Sequence, residues 1–204
     1  MHYASDIAFT PVVKAIQQRK GSREAYAQVE QNGGWNTRIT EDAKAFIEAQ
    51  TSVFLATANS LGQPYVQHRG GPQGFLRVLD DQSIAFVDYA GNQQFITLGN
   101  LQENPQTYLF LIDYSQRRRL KIWGTAQVVE DDPEMVAQLM PKQYNAHPAQ
   151  VIVFKVSAID ANCPQHIPRR FEASDVERLL AERDERIQEL ELQVRALQSL
   201  FKQL

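Results

Sequence analysis

Between residues 52 and 160 apolar and polar positions alternate over short runs, the pattern of half-buried strands. Seven runs stand out, at 53–58, 64–69, 75–79, 83–88, 107–113, 118–130 and 151–159. Turn-forming residues separate several of them: Asn59, Ser60, Leu61 and Gly62 after the first, and Asp80, Asp81 and Gln82 after the third. The sixth run is long and is expected to bend near Gly124. Two helical stretches interrupt the series, at 92–102 and 133–140. Thr40, followed by Glu41 and Asp42, reads as the cap of a short helix over 43–50. Short strands with close turns predict a small antiparallel barrel, and the interleaved helices make the fold α+β, mainly β.

The two ends follow other patterns. Residues 1–39 are mixed and polar, with one helical patch near 12–18 and breaks at Gly21, Asn32, Gly33 and Gly34. They read as an arm that wraps the core. From 172 to 204 the chain is charged throughout. Val176, Leu180, Arg183, Ile187, Leu190, Val194, Leu197 and Phe201 recur at spacings of four and three. That is a heptad seam with Arg183 as its polar break, expected to form a coiled coil between two subunits. The plainer reading is a helix packed on its own domain. The barrel domain spans 40–171.

Composition narrows the partners. A chain of 204 residues with a net charge of −3 suits one core and gives no electrostatic footprint for nucleic acid. No apolar run is long enough to span a membrane, and the first ten residues lack the pattern of a signal peptide. The single cysteine, Cys163, allows no internal disulfide, which fits a cytoplasmic protein. His2, His68, His147 and His166 are too scattered to suggest a metal site.

Four segments can carry chemistry. In Gln67, His68, Arg69, Gly70, Gly71 and Pro72 a strand ends in glycines that let backbone amides approach a ligand, with Arg69 suited to a phosphate. The same residues would also make an ordinary turn with a surface arginine. Val87, Asp88, Tyr89, Ala90, Gly91, Asn92, Gln93 and Gln94 lead from a strand into a helix, whose first amides suit a phosphate; the alternative is a solvated cap. Along 117–123, Arg119, Lys121 and Trp123 share one strand face, either to hold an anionic aromatic ligand or to guard an edge with charge. Asn162, Cys163, Pro164, Gln165, His166, Ile167 and Pro168 form an extended segment in which one Cys beside one His is weak evidence for a site.

In this order the segments resemble the pyridoxamine-phosphate-oxidase-like family, in its subgroup of flavin-nucleotide-binding proteins. The likeness rests on His68–Pro72 with Gly74 and Phe75, on Asp88–Asn92, on Thr97–Leu101, Asn104 and Pro105, on Trp123–Ala126, and on Asn162–Pro168. It covers roughly 40–170. It implies a six-stranded split barrel and a homodimer with FMN at the subunit interface. By that likeness Gln67, His68, Arg69 and Gly70 lie against the flavin and its phosphate. Val87 and Asp88 meet the ring edge through their backbone, and Asn92, Gln93 and Gln94 hold phosphate at a helix start. Thr97 and Asn100 follow along that helix, and Arg119 reaches the flavin from the long strand.

Departures from the family bear on the activity. Gln67, Gln93 and Gln94 stand where the oxidases resemble one another in an Arg and an Arg-Lys pair, and the C-terminal Arg-x-His substrate signature is replaced by Cys163–Arg170. Both argue against pyridoxal-phosphate synthesis and leave FMN binding. The expected function is an FMN-dependent oxidoreductase acting on a small molecule. The alternatives are a flavin-binding or redox-sensing module without turnover, and a split barrel that takes haem or deazaflavin. No catalytic acid, base or nucleophile is singled out.

Overall fold

The computed structural model describes residues 3–161 and 164–201. Seven antiparallel strands form one sheet: β1 (Ser52–Ala58), β2 (Pro64–Gly70), β3 (Arg77–Asp80), β4 (Ser83–Tyr89), β5 (Gln106–Asp113), β6 (Arg118–Val129) and β7 (Pro148–Ala161). Their spatial order is β2-β1-β5-β6-β7-β4-β3. The seven alternating runs therefore all become strands. The six strands implied by the family resemblance are one too few, because four-residue β3 pairs along the edge of β4.

Curling of the sheet is visible in the core. Val53 and Leu55 of β1, Leu109 and Leu111 of β5, Leu120 and Ile122 of β6, Phe154 of β7 and Ile84 and Phe86 of β4 pack into one cluster. Five strand spacings separate β2 from β4 in the order, about 24 Å if the sheet were flat. Instead Arg69 Nε of β2 lies 2.8 Å from Asp88 Oδ1 of β4. The sheet is thus a split barrel whose two ends face each other. Its inner face is the even run of buried side chains that period-two alternation demands. β4 is buried on both faces, since Ala85 and Val87 meet Leu139 and Val151 in a second cluster beneath α5 (Pro133–Leu139).

The bend near Gly124 is present as a register shift between Trp123 and Gly124 where β6 pairs with β7. A Cβ at Gly124 would stand 1.9 Å from the Lys155 carbonyl oxygen and 2.8 Å from Phe154 Cε1. Two buried groups, one of them backbone, would have to move.

α3 (Glu41–Glu48) starts as expected, with Thr40 Oγ1 accepting from Ala43 N at 3.2 Å. Its face of Ala43, Phe46 and Ile47 is buried in the barrel core. The N-terminal arm holds more order than its polar sequence suggests. Besides α1 (Pro11–Lys20) it contains a 3-10 turn at Ala4–Ile7 and α2 (Arg23–Gln31). Glu30, buried on α2, ties the arm together by pairing with Arg23 and accepting from Ser5 at 3.3 Å. Trp35 then stacks on Trp123 with centroids 4.7 Å apart, and Asn36 bridges to Ile159. The arm is fastened to the outside of β6 and β7.

Residues 3–113 with 118–161 and 164–165 form one compact unit, and 114–117 with 166–201 another. The second unit carries α6 (Ala173–Phe201). The Asn162 and Cys163 of the fourth candidate segment lie outside the described residues.

Gly124→Ala should destabilise the barrel by about 3 kcal/mol or more, the upper range for overpacking a filled core. Urea unfolding followed by circular dichroism measures it.

Candidate functional site

The split between β2 and β4 opens into a groove of about 470 Å³, within the roughly 300–1,000 Å³ of small-ligand pockets. β2 supplies Tyr65, Gln67 and Arg69 from its inner face, and Asp88 and Tyr89 come from the end of β4. The loop Ala90–Phe95 and the first turn of α4 (Ile96–Glu103) close one side, and Ala149 and Gln150 at the start of β7 another. Alternation along β2 explains the selection, because residues two apart share a face.

Arg69 and Asp88 dominate the electrostatics. Both side chains are largely buried, and their ion pair spans the split. The Nε–H is not aligned on the carboxylate, so Arg69 Nε makes no hydrogen bond among the described residues. Gln150 Nε2 donates to Asp88 Oδ2 at 2.6 Å. Burial raises the Asp88 carboxyl above its ordinary value, against the opposing pull of Arg69 and of Gln150. Tyr89 is also raised, by burial and then by neighbouring Tyr144, and its hydroxyl is buried without a hydrogen-bond partner among the described residues. Arg69 Nε remains inside the ion pair with Asp88, so the Tyr89 hydroxyl is the buried polar atom bordering this groove that has no partner among the described residues.

The loop into α4 departs from the sequence expectation. The helix starts at Ile96 rather than at residue 92. Gln93 and Phe95 occupy the left-handed region at φ 57° and 54°, where a non-glycine residue is uncommon. No side chain caps α4, so its first amides lack the partner that capping would supply, and Ile96, Thr97 and Leu98 of this first turn line the groove. Asn92, Gln93 and Gln94 line the groove from this loop and not from a helical first turn.

Of the twelve residues that the resemblance assigns to the cofactor, the groove gathers Gln67, Arg69, Asp88, Asn92, Gln93, Gln94 and Thr97, together with Tyr89, Ala90 and Gly91 of the second candidate segment. Thr97 Oγ1 donates to Gln67 Oε1 at 2.8 Å, which fixes the Gln67 amide. The remaining five lie elsewhere. His68 points outward from β2, edge-on to Phe54. At Gly70 a Cβ would meet His68 Cε1 at 3.0 Å, and at the adjacent Gly71 one would meet Phe75 at 2.7 Å. These glycines allow the chain to pack on itself. The Val87 side chain is buried under α5. Asn100 is buried and donates to Thr57 at 2.9 Å, a bond that ties α4 to β1. Arg119 lies on the outer face of β6 beside Tyr108, whose hydroxyl is pushed up to about 12 by burial and Asp160 against the pull of Arg119. The row Arg119, Lys121, Trp123 does share a face, but Lys121 pairs with Asp160 at 2.9 Å and Trp123 is covered by Trp35.

Sequence reasoning passed over Tyr65, Phe95, Ile96, Ala149 and Gln150. Extending the alternation of Gln67 and Arg69 back by two reaches Tyr65. Gln150 carries no local signal, since it meets Asp88 only through the pairing of β4 with β7. Among the described residues no three His, Cys, Asp or Glu side chains cluster as metal ligands, and no helix is long and apolar enough to cross a membrane.

Residues 39–163, more than half of the chain, match the family model described as Pyridoxamine 5'-phosphate oxidase. The chain belongs to this family. Among solved structures it is similar to HupZ of Group A Streptococcus, with 19% identity over 65% of this chain and 99% of that one and a TM-score of 0.48. It is similar to an FMN-binding protein of Syntrophomonas wolfei, with 13% identity, 72% and 97% coverage and a TM-score of 0.48. An F420 reductase is a further likeness, with 18% identity, 60% and 98% coverage and a TM-score of 0.43. No curated protein matches the chain.

The raised Asp88 carboxyl gives a pH signature. The native state takes up this proton more readily than the unfolded chain, so the group favours folding below its unfolded value near 3.8 and loses that contribution as pH rises through its higher folded value. The stability of Asp88→Asn relative to the wild type should therefore increase as pH is raised through that window and then level off. Urea midpoints over a pH series measure it, and a constant offset would contradict it. Arg69→Ala should extend the window upward, because the charge that lowers the Asp88 carboxyl is removed. It should also cost about 3 kcal/mol near neutrality, as breaking a buried pair does.

Proposed function

We propose that the groove binds FMN and that the protein is a flavin-dependent oxidoreductase acting on a small molecule. Family membership supports the class of cofactor. The observation that carries the reading to this chain is the make-up of the groove: a buried arginine, held by Asp88 through its Nε, and an uncapped helix start stand beside Tyr65, Tyr89 and Phe95. That combination suits a ligand with an anionic group and a planar ring.

In this reading Arg69 and the first amides of α4 hold the phosphate, with Asn92, Gln93 and Gln94 as further donors. Asp88 and Gln150 keep Arg69 oriented, and Thr97 orients Gln67. Tyr65, Tyr89 and Phe95 border the ring and exclude water from it. FMN, when bound, supplies one- and two-electron transfer. The titratable side chains of the groove are Tyr65, Arg69, Asp88 and Tyr89. Asp88 is engaged by two partners and Tyr89 is held neutral. This set favours hydride or electron transfer over chemistry that needs a mobile side-chain base. We further propose a cytoplasmic homodimer with FMN at the subunit interface, the arrangement that the family resemblance implies. His68 and Arg119 face outward and are the resemblance-derived residues that a second subunit would have to bring to a flavin.

The purified protein should be yellow and release about one FMN per chain on heating, the stoichiometry of a single site. Arg69→Ala should weaken FMN binding about tenfold or more, as loss of one charge-assisted contact does, read by flavin fluorescence titration. A colourless protein that ignores added FMN overturns the cofactor. A yellow protein whose flavin is not reduced by NADH or NADPH overturns nicotinamide-driven turnover and leaves a flavin-binding module.

A further inference from the structure

We propose that α6 pairs with α6 of a second copy as a parallel, in-register, two-stranded coiled coil. Every residue from 176 to 199 on this helix is exposed, yet it carries a continuous apolar stripe. Val176, Leu180, Ile187, Leu190, Val194 and Leu197 are each between 41% and 55% exposed. A stripe of this length on a helix with no packed face is stable in water only when covered.

The side chains along the stripe select the occupant. Taking Val176 as a d position places Leu180, Ile187 and Val194 at a, and Arg183, Leu190 and Leu197 at d. In the C-terminal half β-branched Ile187 and Val194 at a alternate with Leu190 and Leu197 at d, the combination that favours two parallel strands. The flanking charges select the same direction. Three of the four e positions, Glu177, Asp184 and Glu191, are acidic, and the fourth is Gln198. An antiparallel pair sets this row against its own copy and repels. A parallel pair sets each e residue against a g residue of the other helix, which brings Arg186 to Glu191 and leaves no acidic pair among Leu179, Arg186 and Gln193 with their counterparts. Arg183 is the one charged core position. In a parallel in-register pair it faces Arg183 of the second copy, with Asp184 of each chain beside the pair to offset the two charges, so this polar core layer marks the register at a cost in stability. This pairing does not depend on what the groove binds.

The test uses the full-length protein with Cys163→Ser, into which Leu180→Cys, Leu197→Cys or Gln188→Cys is introduced singly. Cross-linking under mild oxidation is read on non-reducing gels, with and without added FMN. A parallel in-register pair brings like core positions within disulfide reach. Leu180→Cys and Leu197→Cys should each give a linked dimer, while Gln188→Cys on the outer face gives none. If neither variant links to itself but a mixture of the two does, the helices are antiparallel and the proposal fails. Absence of linkage, alone or mixed, shows that α6 does not pair with a second copy and overturns it as well. The flavin content of the same samples is scored separately, so failure of the coil and failure of the cofactor reading are distinguishable.

Discussion

The barrel depends on one close approach. At Gly124 the backbone of β6 passes so near the Lys155 carbonyl and the Phe154 ring that a single added carbon would collide with both. The long β6–β7 ladder shifts register at this point and continues. Those two strands sit in the middle of the sheet, so their path sets how the outer strands are carried round. Curling of the sheet brings β2 to β4 and creates the split in which Arg69 and Asp88 meet. The groove is thus a consequence of sheet curvature, and its residues come from elements far apart in sequence.

Strand positions were legible because burial on one face leaves a period-two trace. Val53, Leu55 and Thr57 face inward and their neighbours do not, as the pattern requires. The helix of the tail was legible for a parallel reason at period 3.5. Residues 1–39 were harder. Tyr26 and Val29 on α2 remain exposed, so the apolar stripe that would mark a helix is weak there. The order of that segment comes from Glu30 and its partners, which only the folded arm assembles. The six-strand expectation came from the resemblance, whereas the alternation itself marked all seven runs.

The candidate site was half legible. Arg69 and Gln67 follow from a strand face, and Asp88 from a strand end. The start of α4 did not follow, because Asn92, Gln93 and Gln94 resemble a polar first turn while Gln93 and Phe95 adopt left-handed backbone that no local motif announces. Glycines 70 and 71 suggested room for a ligand and instead give room to His68 and Phe75. A glycine records close approach without saying to what. Arg119 shows the same limit, since strand parity placed it correctly on a shared face but could not say which face of the barrel that would be.

The chain has two tryptophans, and they stack on each other where the N-terminal arm meets β6. All indole emission therefore originates at this one seam. Its spectrum reports the seating of the arm, not the state of the barrel interior, whose aromatic residues are phenylalanines such as Phe75, Phe86 and Phe154. Nature has in effect labelled a single joint of this molecule, and detachment of the arm can be watched in the native protein without any added dye.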